Sequence, residues 1–215
     1  MLPAWLVRLI FRLLYNELAF TYDLVAWLVS FGQWAGWRRT AARYLHEGRV
    51  LDLAHGTGGL MADLAQRGLT PVGLDVSPHM SHIARRRLVG RGLPFQLARG
   101  RAQQLPFRDA CFSNVLATFP ADFILDAETL LGVARVLSPE GRLVIVVMGY
   151  LRRVPLLWRL VDWAYAIATP RNLSEVEAIN RLREAGFDAR WEDTSMEGAT
   201  ARLLVGTRQK GREVF

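Results

Sequence analysis

The sequence predicts an α/β fold: a doubly wound, mostly parallel sheet of seven strands, preceded by helices and interrupted by a helical insertion after strand five. Two observations carry this. Short apolar runs alternate with amphipathic ones between Val50 and Met148, with brief connections, as parallel strands joined by crossover helices do. Within that series, Val50 to His55 passes through Gly56-Thr57-Gly58-Gly59 into the amphipathic stretch Leu60 to Arg67, which reads as strand, glycine turn and helix.

A chain of 215 residues, 51% of them hydrophobic, suits one domain with a substantial core. The formal charge of +7 is almost entirely arginine, since Lys210 is the only lysine. The arginines are scattered, and their densest run, Arg85-Arg86-Arg87, reads as a solvated helix face, so no nucleic-acid partner is expected. The single cysteine, Cys111, excludes an internal disulfide and a Cys-based zinc site, and no metal is expected. No apolar stretch reaches the length needed to span a bilayer, and the N-terminus lacks the marks of a signal peptide. The expected location is cytoplasmic, with membrane association as a qualification.

Residues 3–15 read as an amphipathic helix starting at Pro3, with Arg8, Arg12 and Tyr15 on a narrow polar face. Its wide apolar face either packs on the domain or a partner subunit, which leaves a homodimer open, or lies in a membrane interface. Residues 17–46 continue as helix, with Gly32 and Gly36 as weak points and Phe20, Tyr22, Trp27, Phe31, Trp34 and Trp37 as the most aromatic part of the chain. From Val50 the expected order is strand, helix 60–67, strand 70–75, helix 78–89, strand 94–99, loop, strand 112–118, helix 126–137 and strand 141–148. Ser77-Pro78 is a good helix start. Residues 149–171 contain another mostly apolar helix, ended by Pro170. A helix over 174–186, with Glu175 and Glu177 in its first turn, precedes strands at about 187–194 and 201–208.

The glycine turn carries the chemistry. Glycine has no Cβ to hold a ligand off, and the N–H groups of the first helical turn are unspent donors. Asp75 ends the second strand, where a carboxylate can accept hydrogen bonds from both hydroxyls of a ribose. A dinucleotide oxidoreductase would use similar parts, but Met61 occupies the third glycine position of its G-x-G-x-x-G fingerprint.

The segments "VLDLAHGTGGL", "VGLDVSPHM", "RGRAQQLPFRDACFSNVLATFP" and "VARVLSPEGRLVIVVM" together resemble the class I S-adenosylmethionine-dependent methyltransferases, nearest the small-molecule and quinone branch. The match covers roughly residues 20–148, in order and in register. It implies a Rossmann-like methyltransferase fold over 47–215, ended by an antiparallel hairpin. It also implies that helical residues 1–46 cover the cofactor and substrate, with 149–171 as a lid. The implied cofactor is S-adenosylmethionine, with S-adenosylhomocysteine as product.

The resemblance also implies which residues bind. Ala54, Gly56 and Gly58 would line the methionine and ribose, Asp75 would take the ribose hydroxyls, and Val76 and Met80 would lie against the adenine. Thr118 and Phe119 would approach the reacting centre, and "FTYD" at 20–23 brings Tyr22 toward the cofactor. Asp52 would organise the glycine loop through backbone contacts. Many such enzymes need no dedicated base, and no catalytic residue is assigned.

Several positions depart from the family pattern. Ala54-His55 stands where Gly-Cys is usual, and His55 is expected to face solvent or bound cofactor. Arg101, before Ala102, replaces an acidic residue that accepts from the adenine amino group, and guanidinium offers no acceptor. Ser113 and Gly132 replace Asp and Glu at positions that look structural. The acceptor is expected to be small and apolar, because the segments 3–15 and 155–168 are apolar around most of their circumference and stand outside the sheet core.

Overall fold

The computed structural model describes residues 16–151 and 174–210, together with Leu6 and Leu13. The amphipathic helix expected over 3–15 and the apolar helix expected within 155–168 lie outside the described residues.

Seven strands form one sheet. They are β1 (Arg49–Leu53), β2 (Thr70–Asp75), β3 (Gln96–Arg99), β4 (Phe112–Thr118), β5 (Leu137–Leu151), β6 (Phe187–Met196) and β7 (Ala199–Arg208). The order across the sheet is β3-β2-β1-β4-β5-β7-β6. The first five are parallel, whereas β7 runs antiparallel between β5 and β6. Because β1 is central and its neighbours are β2 on one side and β4 on the other, the strand order reverses beside it. Ligands in such sheets bind beyond the carboxyl ends of the strands at that reversal.

The helices are α1 (Tyr22–Val29), α2 (Trp34–Thr40), α3 (Gly59–Ala65), α4 (Pro78–Val89), α5 (Ala127–Val136) and α6 (Glu175–Glu184). Alternate residues of β1 serve opposite faces of the sheet, as strand pleating requires. Leu51 and Leu53 pack with Phe112, Leu130, Val133, Leu182 and Phe187. Val50 packs on the other face with Trp37, Leu60, Leu64, Leu116 and Val144. Burying each such side chain contributes ~1.5–3 kcal/mol. Sequence signals set two helix starts: the Ser77 hydroxyl accepts from Met80 N at 3.2 Å, and the Ser174 hydroxyl accepts from Glu177 N at 3.1 Å.

Two expectations are corrected. Residues 17–46 are not one helix. The chain leaves α1 at Ser30 and turns through Phe31 (φ 49) and Gly32 (φ 80). It restarts at Trp34, whose N–H donates to the buried Ser30 hydroxyl at 2.9 Å. Gly36, the other expected weak point, stays inside α2, where an added Cβ would meet Met196 at 2.2 Å. The second correction is to β5, which runs on to Leu151 because Gly149, Tyr150 and Leu151 pair with Ala201, Thr200 and Ala199. Gly149 is required there, since a Cβ would enter the Trp37 ring at 2.2 Å.

The chain ahead of β1 is clamped to the sheet. Buried Asn114 on β4 donates to His46 O and accepts from His46 N, both at 2.9 Å. Arg142 on β5 donates to Tyr44 O at 2.9 Å, and the Tyr44 hydroxyl meets Thr194 at 2.8 Å. These contacts tie the residues that follow α2 to the sheet, while Trp37 of α2 packs beside Gly149 in the C-terminal half of β5.

Candidate active site

Leaving β1, the backbone passes three left-handed residues within five positions: Ala54 (φ 57), Gly56 (φ 54) and Gly58 (φ 72). Glycine adopts this conformation without penalty, whereas alanine costs about 1–2 kcal/mol. The loop is held from below by Leu74 O, which accepts from Ala54 N at 2.8 Å. From the side, Asp75 Oδ2 accepts from Gly56 N at 3.0 Å while Oδ1 accepts from Ser77 N at 2.8 Å. A single carboxylate therefore ties the loop after β1 to the start of α4.

Beside it lies a cleft of about 250 Å³, lined by Ala54, Asp75, Val76, Arg101, Ala102 and Phe123, among others. Five of these were expected at a cofactor site. Phe123 was not: it follows β4 in a short 3-10 turn, Asp122–Leu125, that has no spacing signal of its own. Gly56 also opens outward, since an added Cβ would meet nothing nearer than Ala54 O at 4.0 Å.

The remaining expected residues are placed differently. Phe119, just past β4 at φ 49, stacks on Trp34 with ring centroids 4.1 Å apart. Tyr22 meets Trp34 edge-on at 6.3 Å, and Trp37 meets Phe119 at 6.1 Å. Tyr22, Trp34, Trp37 and Phe119 thus form an aromatic wall at the carboxyl end of β4, with Thr118 as that strand's last residue. Trp34 and Trp37 were visible only as part of an aromatic stretch. Gly58 packs against α4. Met80 is 1% exposed and does not line the cleft.

For His55 the solvent-facing half of the expectation is corrected: the side chain is buried. Its Nδ1 lies 2.9 Å from Gly56 O and its Nε2 3.4 Å from the Ser81 hydroxyl. The ring fills the notch that Gly73 leaves in β2, where a Cβ would approach it to 2.7 Å. Burial holds its pKa below the usual histidine value, against the pull of Asp75 and two backbone hydrogen bonds. Asp52 is a second correction: its buried carboxylate makes none of the expected backbone contacts.

The N-terminal segment is joined to the glycine loop by a closed ring of bonds. Thr57 Oγ1 donates to Asp23 Oδ1 at 2.8 Å, and Arg87 on α4 pairs with Asp23. Arg87 also donates to Thr57 O at 2.8 Å and to Thr57 Oγ1 at 2.9 Å. The Asp23 pKa is lowered: desolvation by burial pushes it up, and the bonds from Arg87 and Thr57 outweigh that.

The chain matches the methyltransferase domain family over residues 51–145. It is 42% identical to a demethylmenaquinone methyltransferase of Thermus thermophilus, over 91% of this chain and 100% of that protein. A demethylmenaquinone methyltransferase of Clavibacter sepedonicus is 31% identical over 93% of this chain and 90% of its own length. A geranyl diphosphate methyltransferase structure superposes with a TM-score of 0.63 at 15% identity, over 81% of this chain and 77% of that one, a likeness of fold. The chain is a class I S-adenosylmethionine-dependent methyltransferase. It belongs to the demethylmenaquinone and ubiquinone/menaquinone methyltransferase family.

The cleft fits the nucleoside part of the donor. Each Asp75 oxygen receives one N–H and keeps acceptor capacity for a hydroxyl. Val76, 58% exposed, and Phe123 offer apolar surface for a base. When bound, the donor supplies a methyl group activated on a sulfonium, so the protein's tasks are to hold, align and exclude water.

Arg101 lines this cleft and remains exposed. Next to it, Gln103 donates to Asp126 at 3.0 Å, which leaves its carbonyl as an acceptor. Arg101→Asp restores an acceptor at the base edge and is expected to tighten S-adenosylhomocysteine binding by about 1 kcal/mol. Calorimetry showing weaker binding instead would give the arginine another partner, such as the face of the base.

Proposed function

We propose that the acceptor is a quinone in its reduced, hydroquinone form, bearing an apolar tail and methylated on a ring carbon, and that the protein meets it at a membrane surface. A ring carbon beside a phenolic hydroxyl is electron-rich enough to take an activated methyl group, whereas the oxidised quinone ring is not. The relatives point the same way: the Thermus and Clavibacter proteins carry the name demethylmenaquinone methyltransferase, and one from Geobacter sulfurreducens, 33% identical over 63% of this chain and 56% of its own, is named a C-methyltransferase.

The observation that carries the membrane reading is the outer face of α1. Leu24, Trp27 and Leu28 are 59, 58 and 54% exposed, and Phe20 just before the helix and Phe31 just after it are 75 and 48% exposed. The same N-terminal segment contributes Tyr22, Trp34 and Trp37 to the aromatic wall. One stretch of chain therefore joins an apolar outer surface to the site interior. Each large side chain fully withdrawn from water is worth ~1.5–3 kcal/mol. No helix among the described residues is long and apolar enough to cross a membrane. In this reading the described part of the N-terminal segment, residues 16–46, covers the site.

Flotation with anionic vesicles tests the membrane contact. The intact protein is expected to float at low salt, and Trp27→Ser/Leu28→Ser to stay behind. An intact protein that stays in the soluble fraction contradicts the membrane reading. If light scattering then shows a dimer that the double variant abolishes, α1 meets a second copy instead. Label transfer from the donor to a prenylated naphthoquinol in detergent tests the acceptor separately, and a preference for water-soluble catechols would overturn it.

A further inference from the structure

The glycine loop carries one buried side chain to which donor binding has so far given no task. His55 does not line the cleft. Its ring sits behind the loop, in the notch left by Gly73 on β2, with Met61 of α3 against the same notch and Ser81 of α4 on its far edge. Its own N–H and that of Ala54 both donate to Leu74 O, at 3.4 and 2.8 Å.

The bonds of the ring are directional. Gly56 O, 2.9 Å from Nδ1, only accepts, so Nδ1 carries the proton and donates. In the neutral ring Nε2 is then an acceptor, facing the Ser81 hydroxyl at 3.4 Å. That hydroxyl also lies 3.1 Å from Ser77 O. Gly56 and Ser77 are the two residues whose N–H groups hold Asp75. Their N–H groups meet in front on the carboxylate, and their carbonyls are bridged behind by His55 and Ser81.

We propose that His55 is a positioning residue for the donor: its neutral ring, backed by Ser81, pins the carbonyl of Gly56, so that the Gly56 N–H stays on Asp75 and that carboxylate is presented to the ribose hydroxyls. This rests on the reading of Asp75 as the ribose residue. Three left-handed residues in five positions leave the loop without a regular hydrogen-bond ladder of its own, and the ring supplies a fixed point within it.

The same seat makes the device sensitive to acid. Burial holds the His55 pKa below the ordinary histidine value, against the pull of the Asp75 charge and of backbone hydrogen bonds. Met61 and Ser81 bring no charge from α3 and α4, and His79 and His82 of α4 are exposed. A seated ring is therefore neutral at neutral pH. As pH falls below the ordinary histidine value, the charged ring is favoured outside its seat, and the bridge behind Asp75 is lost with it.

Calorimetry with S-adenosylhomocysteine across pH tests this. His55→Leu keeps bulk in the notch without a donor, and is expected to weaken binding about fivefold to tenfold at neutral pH. His55→Asn places an amide N–H where Nδ1 stood, and is expected to stay within about twofold of the wild type. His55→Gln places its amide nearer to Nε2 and is expected to bind like the leucine variant. Wild-type affinity is expected to fall as the pH is lowered, and that fall to vanish in His55→Asn. Wild-type affinity in His55→Leu, equal losses in the leucine and asparagine variants, or an acid fall that survives in His55→Asn would each overturn the proposal. If His55→Leu weakens binding while Asp75→Ala does not, the ribose assignment fails instead, and the proposal with it.

Discussion

Asp75→Ala is expected to weaken S-adenosylhomocysteine binding at least tenfold and to destabilise the free protein as well. Two ribose hydroxyls donating to one carboxylate are charge-assisted bonds, worth roughly 1.5–3 kcal/mol each before losses. The same carboxylate satisfies Gly56 N and Ser77 N, so its removal strands two backbone donors at about 1–3 kcal/mol each when they are shut off from water. Calorimetry reads the first effect and denaturant titration the second. Asp75→Asn separates them in part, because its amide oxygen can still take one N–H while its nitrogen cannot take the other. A variant that lost stability but kept its affinity would reduce Asp75 to a strut for the loop.

Gly58→Ala is expected to be among the most damaging single-methyl changes at the site. At φ 72 the alanine would pay about 1–2 kcal/mol for its left-handed backbone. Its Cβ would also stand 2.7 Å from Ala84 Cβ and 3.0 Å from Ala84 Cα on α4. Neither is the end of a flexible side chain, so the loop must lift off the helix, and overpacking of this kind costs a further ~1–3 kcal/mol. Donor binding should fall with it, since the displaced loop carries Gly56. Gly92→Ala is the control. It too has positive φ, 62, but its Cβ would meet nothing within 4 Å. If the two variants melted alike, the close docking of loop on helix would not be what Gly58 is for.

The sheet was legible because strand and helix periods alternate from Val50 to Met148, broken only by the loop over 100–110, and Asp75 because a strand end beside a glycine turn is a local pattern. What escaped depended on partners distant in sequence. The break after α1 falls at Gly32, one of the two expected weak points, but the Ser30 hydroxyl and the left-handed Phe31 that complete it carry no such signal. The extra residues of β5 look like the start of a loop until β7 pairs with them. His55 is buried only because Gly73, on the neighbouring strand, leaves space for its ring.

Product analysis tests the central claim most directly. Purified protein would be incubated with methyl-labelled S-adenosylmethionine and a prenylated naphthoquinol held reduced, and the quinone fraction resolved by mass spectrometry with fragmentation. The account predicts one labelled methyl group, bound to a ring carbon, formed in step with S-adenosylhomocysteine and abolished in Asp75→Ala at low donor concentration. Label on a phenolic oxygen, or bound donor that is never consumed, would contradict it.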